Sequence, residues 1–326
     1  MIIWSIPLSI YKQKIMKPYN ERTPDNQYKN LLRRILKEGV EVDTWQSQLI
    51  KKSGGSPEEI RNGKSMRIPG HQMMFDLDNG FPLITERNLG KTVKAAISEH
   101  VAFLNGIHTR EELAEWGCSW WDRWLTKEKC EIFGLQDGDM GPGAYGPAWT
   151  NFPTSEGYSV NQIENVIEQI KREPWSRTHF ITNWIPQYVV SGPQNERKVV
   201  VAPCHGILHI LINTETNEMD IHHFQRSSDS PVGLVFDLIQ YAFFGMALEK
   251  IVNYKFRKLV YTTSDTHLYL GQIPDVEKLL TEPDRRFPSA SIDATGITNI
   301  TDYRSSHFIL GDDYESGESM KIWTPI

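Results

Sequence analysis

A mixed α/β fold in one large domain is what this sequence predicts. Three observations carry that reading. Segments with apolar residues at helical spacing alternate with short segments of strand-like alternation. No internal repeat and no linker-like run divides the 326 residues, a length that buries a substantial core. The composition, 39% hydrophobic and 23% charged, is that of an ordinary globular protein.

The first ten residues are apolar, but they lack a basic start and a small-residue cleavage site, and Pro7 interrupts them. They are too few to span a bilayer. Residues 1–24 are therefore expected to form a flexible extension, with Met16 as an alternative start, and 25–326 the single domain. A helix is predicted over 25–39, with Leu31, Leu32, Ile35 and Leu36 on one face and Gly39 as its stop. The polar stretch 48–66 reads as a loop. Asp78, Asn79 and Gly80 signal a hairpin over 75–83. A helix over 92–104 has Val93, Ala96, Ile97, Val101 and Leu104 as its apolar positions and Gly106 just past its end.

The stretch 116–149 is dense in Trp, Gly and Pro and reads as irregular, a common setting for functional loops. Ser159 and Gln162 form a capping-box pattern before a helix that turns Ile163, Val166, Ile167 and Ile170 inward. Strands are expected at 179–184 and 199–203, and a strand pair at 206–212 and 219–224 around a turn at 213–217. The most apolar helix spans 236–252. A strand at 259–263, a helix at 275–280 and a strand ending at Leu310 complete the order, before a final loop to Ile326.

The net charge of −6 gives no support for a nucleic-acid surface, although a free nucleotide needs only a local basic pocket. Three cysteines, Cys118, Cys130 and Cys204, make neither a disulfide framework nor a zinc motif. A reducing, cytoplasmic setting is expected, with no metal and no membrane anchor.

Cys204 stands out among residues that could do chemistry. It follows Pro203 and precedes an alternating run, so it sits at a strand start, where Arg226 from the next strand could favour its thiolate. A buried core cysteine is the plainer alternative. Arg226 with Ser227 offers a planar cation beside a hydroxyl, a grip suited to phosphate. Arg61, in a basic Gly-containing loop, is a weaker phosphate candidate. Glu99, one turn before a helix end, is either a buried proton-transfer group with a raised pKa or an exposed helix charge. Tyr145 lies between Ala144 and Gly146 in an expected flexible loop. His267 and Tyr269 alternate by two and share one strand face.

These pieces fall into a known order. The segments Gly70-His71-Gln72-Met73, Asn79-Gly80-Phe81-Pro82-Leu83, Trp121-Asp122-x-Trp124, Gly141-Pro142 and Tyr145-Gly146 match one family. So do Pro203-Cys204-His205, Gln225-Arg226-Ser227-x-Asp229, Asp265-Thr266-His267-Leu268-Tyr269 and Asp302-Tyr303-Arg304. From about residue 27 to Ile326 the chain resembles the thymidylate synthases and pyrimidine nucleotide hydroxymethylases. That resemblance implies a three-layer α/β fold and a homodimer packed sheet against sheet. It implies a nucleoside monophosphate substrate, and 5,10-methylenetetrahydrofolate as one-carbon donor. It implies that Cys204 adds to carbon 6 of the pyrimidine, that Glu99 manages protons through water, and that Tyr145 and His205 lie near the carbon 5 proton. Arg61, Arg177, Arg226 and Ser227 match the phosphate site, Arg177 serving the other subunit. His267 and Tyr269 match the sugar contacts. Trp121, Asp229 and Gly233 fall on the folate side, and Ile326 matches the C-terminal lid residue.

Several positions depart from the family pattern. Thr178 replaces the second arginine of a pair, with Lys51, Lys52 or Lys64 as candidate substitutes. His209 stands where a glutamine is expected. Asp237 replaces the asparagine that reads uracil. Cytosine presents a 4-amino donor and a nitrogen 3 acceptor, and a protonated aspartate can answer both. The family's cytosine-specific members carry Asp there, so the chain looks like a deoxycytidylate hydroxymethylase. A helix cap is the structural alternative for Asp237. Rival functions are a dTMP-forming synthase, a hydroxymethylase acting on dUMP or CMP, and a catalytically silent nucleotide- or RNA-binding homologue. Intact Cys204, Glu99 and Tyr145 argue against the last.

Overall fold

The computed structural model describes residues 16–193 and 195–325. The first fifteen residues of the expected extension, and the lid candidate Ile326, lie outside the described residues. The remainder of that extension is held rather than flexible. Arg22 is buried, with hydrogen bonds to the Lys17 and Phe287 carbonyls and to Ser289, and an ion pair with Asp313 at 3.2 Å.

Helix α1 (Gln27–Glu38) buries Tyr28, Leu31, Leu32 and Ile35 along one stripe, and Gly39 ends it as expected. The expected loop at 48–66 is instead structured. After β1 (Val40–Val42) come α2 (Trp45–Lys52) and α3 (Pro57–Asn62). Both helices are polar and start on capping boxes, Thr44 with Ser47 and Ser56 with Glu59. Caps rather than an apolar stripe define them, so periodicity gives no signal. Strand β2 (Ser65–Asp76) follows.

The expected hairpin at 75–83 does not form. The chain turns through a 3₁₀ segment, Leu77–Asn79, and Gly80 takes φ 113°. Residues 81–84 then enter the core as coil, and the partners of β2 come from elsewhere in the chain. Helix α4 (Val93–Leu104) matches its prediction but is buried on nearly every face, Glu99 included. The exposed-charge reading of Glu99 is thereby overturned.

Within the stretch read as irregular lie α6 (Lys127–Glu131) and α7 (Tyr145–Thr150), with α5 (Arg110–Glu115) just before it. Tyr145 therefore opens a buried helix instead of riding a flexible loop. A small hairpin, β3 (Phe152–Pro153) and β4 (Ser159–Val160), precedes α8 (Gln162–Arg172). Asn161, rather than Ser159, caps α8 by accepting from the Glu164 N–H. Strand β5 (Phe180–Ile181) is shorter than expected, and α9 (Pro186–Val189) follows. The strand expected at 199–203 is absent, because arginine side chains take its carbonyls. Arg197 donates to Val199 and Val200, and Arg226 to Ala202 and Pro203.

Strands β6 (Ile207–Asn213) and β7 (Glu218–Asp229) pair antiparallel as predicted. The buried helix α10 (Gly233–Val252) leads to β8 (Lys255–Tyr269), much longer than expected. Helix α11 (Ile273–Thr281) and the pair β9 (Ala290–Ile292) and β10 (Phe308–Leu310) complete the chain.

The main sheet has the order β1-β2-β8-β7-β6-β5. Among the described residues only β7 and β8 pair in parallel, and a parallel pair needs a crossover, which α10 supplies. Its apolar surface on all sides fits burial between the sheet and other helices. One sheet face is covered. The other exposes Met74, Phe180, Leu211 and Phe224, each at an alternate position to a buried neighbour.

Candidate active site

The register of β7 against β8 gathers Arg226, Ser227, Asp229, His267 and Tyr269. Ser227 pairs with Asp265, and Asp229 with His267. Ser227 Oγ donates to Asp265 Oδ2 at 2.9 Å. His267 Nδ1 lies 3.2 Å from the Asp265 carbonyl and 3.5 Å from its carboxyl. Burial would lower the imidazole pKa, but the Asp265 hydrogen bond and the charges of Asp229 and Asp265 outweigh it and raise it. The rings of His267 and Tyr269 meet edge-on, as their alternation implied.

Cys204 sits in the coil that ends where β6 begins, half-buried. Its N–H donates to the Tyr145 hydroxyl at 2.8 Å, and Arg226 Nη2 approaches its sulfur to 3.4 Å. Burial raises the thiol pKa, and the Arg226 charge opposes that rise. Arg226 also stacks over Trp184. A cavity of about 220 Å³ opens here, lined by Asn183, Trp184, Pro203, Cys204, His205, Ile207, Phe224 and Arg226.

Behind the sulfur lies a buried polar cluster. Tyr145 stacks between Phe103 and His205. His205 Nδ1 meets the Tyr241 hydroxyl at 2.6 Å, and burial pushes the imidazole down to about 3, so it is neutral. His205 Nε2 lies 3.5 Å from Asp237 Oδ1. Asp237 Oδ2 accepts from Gln225 Nε2 at 2.7 Å. Burial, then the nearby Glu99 charge, drives the Asp237 carboxyl far above its usual range. Asp237 lies past the first turn of α10 and caps nothing, so the helix-cap reading fails.

Glu99 accepts from Trp121 Nε1 at 2.6 Å and from Gln240 Nε2 at 2.5 Å, with the Cys118 thiol 3.9 Å away. Burial pushes its carboxyl up to about 7 against these donors. Two buried groups of this cluster, Gln240 and Tyr241, escaped sequence reasoning. The available signal was two polar side chains inside the most apolar helix of the chain.

A thymidylate synthase family model matches residues 26–324. The chain belongs to the thymidylate synthase family. It is accordingly a folate-dependent transferase that adds a one-carbon unit to carbon 5 of a pyrimidine nucleotide. No helix among the described residues is long and apolar enough to cross a membrane.

The side chains present suit a thymidylate synthase folate. Half-exposed Trp121 and Trp120 offer an aromatic wall, with Trp120 against Phe236. The half-buried Asp229 carboxyl accepts from Gln272 Nε2 at 3.1 Å, and Gln272 also holds the Trp323 carbonyl of the C-terminal tail. Gly233 opens α10, and a Cβ there would meet Asp237 Oδ2 at 3.9 Å.

Two thymidylate synthase phosphate candidates lie apart from Cys204 within this chain. Arg61 is exposed near the end of α3, which packs on the turn after Tyr269. Arg177 is exposed beside β5, where its carbonyl accepts from His209. Thr178, in place of the second arginine, closes a local set with Gln169 and Ser176. Lys64 pairs with Glu41 and Asp43.

Proposed function

We propose that this enzyme acts on dCMP and forms 5-hydroxymethyl-dCMP. The observation that carries the reading is Asp237, a buried carboxyl beside Gln225 whose burial, with the nearby Glu99 charge, drives it far above the usual carboxylate range and so favours its neutral form. A neutral acid donates through one oxygen and accepts through the other, the complement of cytosine nitrogen 3 and its 4-amino group. Uracil presents the reversed pattern and would leave buried groups mispaired, which costs enough to discriminate strongly.

In this reading the Cys204 sulfur adds to carbon 6, and carbon 5 becomes nucleophilic. Arg226 holds the phosphate and at the same time supports the thiolate. The bound folate supplies a one-carbon unit at the oxidation level of formaldehyde. Trp121, Asp229 and Gly233 would hold it beside the nucleotide. Tyr145 and His205 flank the carbon 5 proton. Glu99, with a pKa near neutrality, both holds and releases a proton. Water then adds to the exocyclic methylene of the pyrimidine, and the Cys204 thiolate leaves carbon 6.

The same reading makes the protein a homodimer. The exposed apolar positions of the open sheet face lie beside Arg177, which would reach the partner's phosphate. Base choice is tested by kcat/KM for dCMP, dUMP and CMP, with mass analysis of each product. Wild type should prefer dCMP and yield a hydroxymethyl product, and Asp237→Asn should shift preference to dUMP. A wild-type preference for dUMP would assign the chain to dTMP or hydroxymethyl-dUMP formation instead.

A further inference from the structure

The Asp237 carboxyl is the end of a buried chain of three side chains. Gln225 Nε2 donates to Asp237 Oδ2. The other end of the same amide, Oε1, accepts from the Tyr261 hydroxyl. Gln225 and Asp237 are almost fully buried, and Tyr261 completely so. Gln225 lies on β7 and Tyr261 on the parallel strand β8, where Tyr261 is in register with His223. The Tyr261 ring packs on the His223 ring at 4.4 Å, which fixes where its hydroxyl points.

We propose that Tyr261 is a positioning residue for base choice, acting through Gln225 to decide which oxygen of Asp237 carries the acid proton. The inference rests on the dCMP reading above. A phenol can donate or accept, whereas an amide has distinct donor and acceptor ends. With the Tyr261 hydroxyl donating to Oε1, the Gln225 NH₂ faces the carboxyl. An N–H donor 2.7 Å from Oδ2 favours the unprotonated, carbonyl-type oxygen there, because it is the better acceptor. The proton of the neutral acid therefore resides on Oδ1. Oδ1–H is then the donor that nitrogen 3 requires, and Oδ2 keeps a lone pair for the 4-amino group.

Removal of the hydroxyl frees the amide to turn over. Oε1 would then face Oδ2 and draw the proton there. Oδ1 would be left as an acceptor opposite another acceptor, and the advantage of cytosine over uracil would shrink. Gln225 touches the carboxyl but Tyr261 does not, so its effect is on the order of donor and acceptor, not on the chemistry at carbon 5.

The test is kcat/KM for dCMP and dUMP in wild type, Tyr261→Phe, Gln225→Met and the double variant, each with its melting temperature. Phenylalanine keeps the ring on His223. Tyr261→Phe should lower the dCMP-to-dUMP ratio by about tenfold or more, and should lower it no further once Gln225 is Met. A merely structural role would reduce both nucleotides together and leave the ratio unchanged, which overturns the inference. Independent, additive effects in the double variant overturn it as well. If Tyr261→Phe does not fold, Gln225→Met carries the test alone, and an unchanged ratio there is equally fatal. A wild type with no preference for dCMP removes the dCMP reading and this inference together. A clear wild-type preference with an indifferent Tyr261→Phe removes only the inference.

Discussion

Cys204 and Arg226 show how far one pair of residues carries an argument. Burial works against the thiolate and the Arg226 guanidinium, at 3.4 Å from the sulfur, works for it, with Arg197 a second nearby cation. Cys204→Ala should abolish turnover while nucleotide still binds, as read by equilibrium titration. Release of the carbon 5 hydrogen by that variant would end the covalent role. Arg226→Ala should raise the nucleotide KM roughly 10- to 100-fold, the worth of a charge-assisted contact of about 1.5–3 kcal/mol. The unphosphorylated nucleoside should barely respond, and equal loss for both ligands would make Arg226 structural. Glu99 gives a pH signature. Burial raises its folded pKa from 4.5 to about 7, so the folded state binds this proton more tightly than the unfolded one. Its contribution to stability is complete below about pH 4.5 and is lost as pH rises to about 7. Glu99→Gln should flatten that segment of the stability–pH curve in urea titrations, and a curve of unchanged slope would count against it.

At the scale of elements, the helices and strands with an apolar rhythm were readable and the capped or coiled segments were not. Helices α1 and α4 and the pair β6 and β7 follow from spacing, and α10 from its predominantly apolar run. Helices α2 and α3 do not, because their stability comes from caps on a polar surface. The Asp78–Asn79–Gly80 signal was a real turn joined to the wrong partner. Gly80 takes φ 113°, and a Cβ there would come within 2.8 Å of both the Phe287 Cβ and its carbonyl oxygen. Close approach to a distant segment, not a hairpin, is what demands glycine. Gly80→Ala should destabilise the protein by on the order of 1–3 kcal/mol, read as a lowered urea midpoint. A midpoint equal to wild type would show that the Phe287 segment yields freely.

For the whole molecule, the open sheet face is the main unfinished feature. It exposes Met74, Phe180, Leu211 and Phe224 within a single chain, an arrangement suited to a second copy. Sedimentation should give a dimer. Mixing Arg177→Ala with Cys204→Ala under subunit exchange should restore part of the activity, since one site in each mixed dimer would be intact. Proven mixed dimers with no activity would remove the shared site.

The sequence by itself determined the family, through short motifs whose order is independent of how the chain packs. It also singled out the candidate groups Cys204, Arg226, Asp237, His267 and Tyr269. Only the tertiary structure decided which way the Glu99 and Asp237 carboxyls shift. Whether Glu99 lies in water or among Trp121, Gln240 and Cys118 depends on α4 being buried on nearly every face. Whether Asp237 caps a helix or faces Gln225 depends on where α10 begins and on β7 lying against it. A carboxyl's pKa is set by the dielectric and the donors around it, and those come from segments far apart in sequence. Residue order names the groups, and packing alone settles which of them carry a proton.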